Sequence, residues 1–247
     1  MFLELNSVSK SFGAIPVADD ISFSVGAGEA VGIIGPNGAG KTSLFNLISG
    51  DLLPTAGRIE FGGKDVTALG SRRRSHLGIA RTYQVPLPFT GLSVFENVLV
   101  GAMFSGDAGD GGDVVPEDHS LDVLEKTGLI HRADALAGSL SLLDRKRLEL
   151  ARALSTRPRV ILLDEIAGGL TEAECLQLVS LIRTIHASGT IVIWIEHIVH
   201  ALLSVVQRLI VLDRGRVVAD GDPHDVMRSP QVREIYLGME PDAEDLA

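Results

Sequence analysis

A single cysteine in 247 residues excludes an internal disulfide, and this usage fits a reducing compartment. Cys175 shares helical spacing with Leu178, Val179 and Ile182, which makes it a small buried hydrophobe rather than a nucleophile. Aromatics are scarce as well: one Trp, two Tyr and eight Phe. No apolar run approaches the roughly 20 residues of a membrane span; Ile191-Val192-Ile193-Trp194-Ile195 has only the length of a strand. The opening residues, Met1-Phe2-Leu3-Glu4-Leu5, lack the basic region and apolar stretch of a signal peptide. The expectation is a cytoplasmic chain, so that any membrane attachment comes through a partner. An excess of positive charge is missing too. With 22 Lys and Arg against 32 Asp and Glu, the net charge is −10, which argues against nucleic acid as a partner. Two local basic clusters, Arg72-Arg73-Arg74 and Arg145-Lys146-Arg147, read as solvated faces.

What the chain does contain is Gly35-Pro36-Asn37-Gly38-Ala39-Gly40-Lys41-Thr42, the G-x-x-x-x-G-K-[ST] pattern of a phosphate-binding loop. Ala30-Val31-Gly32-Ile33-Ile34 before it is a buried strand by length and composition. After it, Leu44, Phe45, Leu47 and Ile48 fall on one helix face, and Gly50 ends that helix. Strand, glycine loop and helix form the context the pattern requires. Backbone N–H groups freed by the glycines close around phosphate oxygens, and the helix N-terminus adds partial positive charge. Lys41 reaches β- and γ-phosphates, the Thr42 hydroxyl ligates Mg²⁺, and Ser43 bonds the α-phosphate. The expected ligand is a nucleoside triphosphate with Mg²⁺.

Strands are expected at Phe2 to Val8, Ile21 to Val25 and Gly57 to Gly63. From about Leu92 to Leu154 the pattern turns helical, broken by the polar, Gly-rich run Ser105 to Asp113, which reads as a flexible loop. Val160 to Leu163 is a buried strand, Thr171 to Ala187 a helix, Thr190 to Ile195 a strand and Ile198 to Val206 a helix. Leu209 to Leu212 and Arg216 to Ala219 pair across Asp213-Arg214-Gly215. Alternation of strands and helices implies an α/β fold with a mostly parallel sheet covered on both faces. The helical block is an inserted lobe.

The strand Val160 to Leu163 ends in Asp164-Glu165. An acid at the end of a strand beside a phosphate loop is placed to hold Mg²⁺, and the second acid can act as general base on the attacking water. His197 follows the strand Thr190 to Ile195 at the same edge, where its imidazole meets the γ-phosphate and orients that water. His200, one turn on, has no further ligands with which to form a metal site.

The phosphate loop, Gln84 in Arg81-Thr82-Tyr83-Gln84, the pair Asp164-Glu165 and His197 occur here in the order found in the ATPase subunits of ABC transporters. The chain resembles that family over nearly its whole length. The resemblance implies a P-loop NTPase core with a mostly parallel sheet, an antiparallel β subdomain and an inserted helical lobe. It divides a single domain into a core with β subdomain (about 1–90 and 155–225), a helical lobe (about 91–154) and a C-terminal tail (about 226–247). Phe12 matches the aromatic on which the family stacks adenine, with Val17 beside it; a plain core role is the alternative. Gln84 contacts Mg²⁺ or the water in that family and links the site to the membrane subunits.

Finer matches are similar to the branched-chain amino acid importer ATPases: Ile79-Ala80-Arg81-Thr82-Tyr83-Gln84, the stretch Gly91 to Gly101, and Arg233-Glu234-Ile235-Tyr236-Leu237-Gly238. Lipopolysaccharide-export ATPases share much of this pattern. Val85-Pro86-Leu87-Pro88-Phe89 either lies near the groove for a membrane-subunit helix or packs under the helical lobe. The family signature is altered, with Leu140-Ser141-Leu142-Leu143-Asp144 where Leu-Ser-Gly-Gly-Gln is usual. Ser141 keeps the hydroxyl that meets a γ-phosphate bound by the opposite subunit, whereas Leu143 is expected to obstruct the approach. Ile166 replaces the common proline, and Thr171 stands where Asp or Asn is usual.

These features imply an ATP-hydrolysing subunit of an importer for branched-chain amino acids or related small solutes, peripheral at the cytoplasmic face of the inner membrane. Its implied partners are integral permease subunits and a second ATPase subunit. The altered signature favours a heterodimer over a homodimer. The rivals are a lipid or lipopolysaccharide exporter and a soluble non-transport ABC ATPase acting on DNA or ribosomes. The latter calls for a coiled-coil insertion, a second ATPase domain or a basic surface. A nucleotide sensor without turnover needs neither Glu165 nor His197.

Overall fold

The computed structural model describes residues 1–105 and 115–237. Most of the Gly-rich run that follows Ser105, together with Gly238 and the rest of the expected tail, lies outside the described residues. Contacts divide the chain into two compact units, Met1–Ser71 with Ile191–Ala247, and Arg72–Thr190.

The first leg of the first unit contains β1 (Leu3–Phe12), β2 (Ile15–Val25), β3 (Ala30–Ile34), α1 (Lys41–Ser49), β4 (Ala56–Phe61) and β5 (Lys64–Asp65). β1 sits between β2 and β4, all antiparallel, with β5 outside β4. Register aligns the apolar face: Leu3 lies opposite Val25 and Phe61, and Leu5 opposite Phe23 and Ile59. All six are buried, as the two-residue period of a strand requires. Both β1 and β2 run longer than their apolar patterns suggested, because the hairpin pairing continues to Phe12 opposite Ile15 with little burial to mark it. In α1, Leu44, Phe45, Leu47 and Ile48 are fully buried. Gly50 ends the helix at φ 84°, its N–H donating to Asn46 O at 3.1 Å, the left-handed cap that glycine adopts without penalty.

The second unit holds α2 (Ser71–His76, its first residue in the first unit), β6 (Ile79–Arg81), α3 (Val94–Met103), α4 (Pro116–Lys126), α5 (Leu142–Ser155), β7 (Val160–Asp164) and α6 (Glu172–Ala187). β6 pairs parallel with β7, Ile79 opposite Val160 and Arg81 opposite Leu162. Val94, Val98, Val123, Leu124, Leu129, Leu140 and Leu148 form one core among α3, α4 and α5. Reciprocal capping boxes start α3 at Ser93 with Glu96 and α6 at Thr171 with Glu174. The solvated reading of the arginine cluster is corrected for Arg74, which is fully buried. Successive helical residues point about 100° apart, so a run of three cannot all face water.

The chain then returns to the first unit with β8 (Ile191–Ile195), α7 (Val199–Leu203), β9 (Arg208–Asp213), β10 (Arg216–Gly221), α8 (Pro223–Arg228) and α9 (Pro230–Leu237). β3 lies between β8 and β9, parallel to both, and β10 closes the edge antiparallel to β9. Every residue of β3 and β8 is buried, the pattern of strands covered on both faces. α7 is shorter than the expected helix Ile198 to Val206.

Candidate functional site

In the first unit the loop Gly35–Gly40 joins β3 to α1 and is gripped from two sides. Gly40 has φ 99°, and a Cβ there would lie 2.5 Å from the Val17 carbonyl oxygen, so only glycine lets β2 pack this closely. From the other side the Gly215 N–H, in the turn between β9 and β10, donates to Ala39 O at 2.9 Å. α1 starts without an acceptor of its own: Gly40 offers no side-chain cap, and the first turn carries no acid. The helix dipole at this end therefore favours an anion. The buried Lys41 ammonium folds back on the carbonyls of Gly35 at 2.6 Å and Pro36 at 3.1 Å. Thr42 is exposed and Ser43 half-buried. A cation, hydroxyls and the positive end of a helix fit a polyphosphate, and Thr42 supplies an oxygen suited to Mg²⁺. A cleft of about 580 Å³ opens here, lined in part by Asn37, Gly38, Asp213, Arg214 and Glu234.

Phe12 stands at the tip of the β1–β2 hairpin, 55% exposed, with the Lys10 ammonium 5.6 Å from its ring centroid. It is not a core residue, which corrects the bland alternative. Val17, half-buried, backs the loop through its carbonyl. His197 is exposed just after β8. Behind it Glu196 is buried, its Oε1 accepting the His197 N–H at 3.0 Å.

In the second unit Asp164 is the last residue of β7, and Glu165 follows at φ 46°. That left-handed backbone costs a non-glycine residue about 1–3 kcal/mol and is characteristic of functional turns. Gln84 Nε2 donates to Glu165 Oε2 at 2.5 Å, so these two expected site residues do meet. Arg81, absent from the sequence-based set, donates from Nη2 to Asp164 Oδ2 at 2.7 Å, and both side chains are buried. Ser141 is the N-cap of α5, its Oγ accepting the Asp144 N–H at 3.2 Å. The phosphate loop and His197 belong to one unit, whereas Gln84, Asp164, Glu165 and Ser141 belong to the other.

Two expectations need correction here, and one pair of alternatives is narrowed. Leu143 turns inward, with 8% of its surface exposed, whereas Leu142 is 43% exposed. The first turn of α5 therefore directs Leu142 outward, and any obstruction belongs to that residue. Lys146 is buried, not solvated, and donates to Gln84 O at 2.8 Å. Val85, Leu87 and Phe89 are all exposed, which favours the docking-groove alternative over packing under the lobe. Sequence reasoning also passed over Glu149 and Arg152. Burial pushes the Glu149 carboxyl up, against the pull of Arg152, the Tyr83 N–H and Lys146. Their signal was present: charged residues at three-residue spacing from Lys146, interleaved with the buried Leu148 and Ala151.

The pattern of loop, strand-end acids and N-capping serine has a family counterpart: a model described as ABC transporter matches residues 18–168. The chain belongs to the ABC transporter ATPase family. As a member it is an ATP-hydrolysing enzyme. A second model, branched-chain amino acid ATP-binding cassette transporter, matches residues 216–238 of this ATPase, from the start of β10 through α9. It is 37% identical to a probable ABC transporter ATP-binding protein of Azorhizobium caulinodans, over 94% of this chain and 82% of the relative. Identity is 35% to the lipopolysaccharide export system ATP-binding protein of Acidithiobacillus ferridurans (96% of each). It is 31% to a high-affinity branched-chain amino acid transport ATP-binding protein of Pseudomonas aeruginosa (96% and 97%). The ADP conformation of an ABC transporter ATP-binding cassette superposes with a TM-score of 0.87 at 32% identity, covering 96% and 98% of the two chains.

Proposed function

We propose that this ATPase energises uptake of branched-chain amino acids or related small solutes by an importer. It would work as a peripheral subunit on integral permease subunits at the cytoplasmic face of the membrane. The observation that carries the solute class is the match of residues 216–238 to the branched-chain cassette model, supported by branched-chain relatives of nearly equal length. A lipopolysaccharide-export relative of slightly higher identity keeps export as the second reading. Copurification from membranes followed by solute uptake into proteoliposomes separates them. ATP-dependent accumulation of leucine, isoleucine or valine supports import, and its absence beside ATP-dependent lipopolysaccharide extraction supports export.

The expected site residues are proposed to carry the following roles in ATP hydrolysis. Phe12 stacks on adenine, a contact worth about 1–3 kcal/mol per base. The Gly35–Gly40 loop, Lys41 and Ser43 bind the phosphates. Thr42, Asp164 and Gln84 are the residues that would hold Mg²⁺, which when bound neutralises charge on the β- and γ-phosphates. Glu165 takes a proton from water as its oxygen attacks the γ-phosphorus, and the bond from that phosphorus to the bridging oxygen breaks, leaving ADP and phosphate. His197 orients the water and bonds the γ-phosphate. Gln84, already on Glu165, holds the base in line.

Ser141 would complete a nucleotide site built on a second ATPase subunit. With Leu142 directed outward beside it, two copies of this chain would obstruct both sites. The reading therefore favours a heterodimer whose other subunit has an unaltered signature.

A further inference from the structure

The segment from Thr82 to Phe89 has no regular secondary structure, so its backbone groups must find partners elsewhere. At the ends, the Thr82 N–H donates to Leu162 O at 2.9 Å and Asn97 of α3 holds both backbone groups of Phe89; between them the inward face of α5 supplies partners. Lys146 Nζ donates to Gln84 O at 2.8 Å, the Tyr83 N–H donates to the Glu149 carboxylate, and Arg152 Nη1 donates to Leu87 O at 2.9 Å. Arg152 also reaches Glu149 Oε2 at 3.3 Å, and its guanidinium lies 5.0 Å from the Phe89 ring centroid. Lys146 and Glu149 are buried. Burying an ammonium and a carboxylate is unfavourable unless both are paired and hydrogen-bonded, and here their partners include the backbone of this one segment.

We propose that Lys146, Glu149 and Arg152 form a positioning clamp. By fixing the main chain on both sides of Gln84, they hold its amide on Glu165 and tie the exposed Val85–Phe89 patch to the helix that begins at Ser141. The geometry gives the coupling a direction. Lys146 lies five residues along α5 from Ser141, about 7.5 Å of helix rise, and helices move as rigid bodies. A displacement of the patch therefore carries the Ser141 end of α5 with it as well as Gln84. The clamp rests on the proposed roles of Gln84, Glu165 and Ser141. None of its three residues needs to touch nucleotide.

Lys146→Met keeps an unbranched buried side chain and removes the donor to Gln84 O. In the full chain without nucleotide, the expected result is amide hydrogen exchange over residues 82–89 faster by about tenfold or more, with the core helices unchanged. With ATP, kcat should fall by about tenfold or more while KM stays within about threefold, since misplacement of about 1 Å can cost on the order of 100-fold in rate. Unchanged exchange over 82–89 overturns the clamp. So does faster exchange with kcat unaltered, which would make the contact merely structural. If Lys146→Met does not fold, Arg152→Met is judged by the same two readouts. Exchange needs no turnover, so it decides the clamp even if Glu165 proves not to be the base.

Discussion

Lys41 and Glu149 are both buried charges, but their surroundings lead to opposite expectations. Lys41 is satisfied by two loop carbonyls and faces the place where phosphates are proposed to bind. Lys41→Ala removes that cation, and charge-assisted hydrogen bonds are worth about 1.5–3 kcal/mol each. ATP dissociation constants measured by calorimetry at fixed Mg²⁺ should rise about tenfold or more, and unchanged affinity would put the nucleotide elsewhere. Glu149 instead holds its proton more tightly in the folded chain than in the unfolded one, because burial outweighs its cationic neighbours. Its contribution to stability is complete below the ordinary value of 4.5 and is lost as pH rises through the elevated folded value. Glu149→Gln should flatten that part of the profile of melting temperature against pH. Parallel profiles for wild type and variant through this window would show that Glu149 is not the cause. His119 runs the other way: burial and Arg157 lower it, so its contribution is present above 6.5 and lost as pH falls through that value toward the folded one.

Elements whose sequence carries period and punctuation together were legible. β3, the glycine loop and α1 could be read because an all-apolar strand, a fixed glycine pattern and the stop at Gly50 agree. β6 could not, because three residues show no period, yet its exit positions Arg81 and Gln84 against the acids of β7. Helix phase was the other blind spot. Which of Leu142 and Leu143 faces out, and that Lys146 faces in, depend on where Ser141 caps α5. A run of like residues does not reveal that phase. The capping boxes could have been read, since Ser93-Val94-Phe95-Glu96 and Thr171-Glu172-Ala173-Glu174 both carry the S/T-x-x-E spacing. Thr171→Ala should lower unfolding free energy by about 0.5–2 kcal/mol in urea denaturation; no shift in midpoint would mean the cap contributes nothing net. In the first turn of α5, Leu142→Gly should raise ATP turnover of the chain alone, whereas Leu143→Gly should mainly lower stability. Equal turnover for wild type and Leu142→Gly, with the wild type already near about 1 s⁻¹ in the ordinary enzyme range, would contradict the heterodimer reading.

At the scale of the whole molecule, the expected site residues are distributed over two separately compact units. The first carries the uncapped α1 terminus, Lys41, Thr42 and His197; the second carries Gln84, Asp164, Glu165 and the clamp on α5. Motif order along the chain was enough to read the family, because phosphate loop, glutamine, acid pair and histidine follow one another through both units. The contacts that hold the second set together, Arg81 on Asp164 and the α5 side chains on the Gln84 segment, bridge residues about 60 to 80 positions apart. No local pattern records such pairings. The central claim is that ATP held by the Gly35–Gly40 loop is hydrolysed with Glu165 as the general base. Its most direct test measures phosphate release and ATP affinity together in Glu165→Gln. Gln keeps the shape but cannot accept the proton, so release should fall below about a tenth of wild type while ATP affinity is retained. Release above that level, with affinity intact, would mean that Glu165 is not the base.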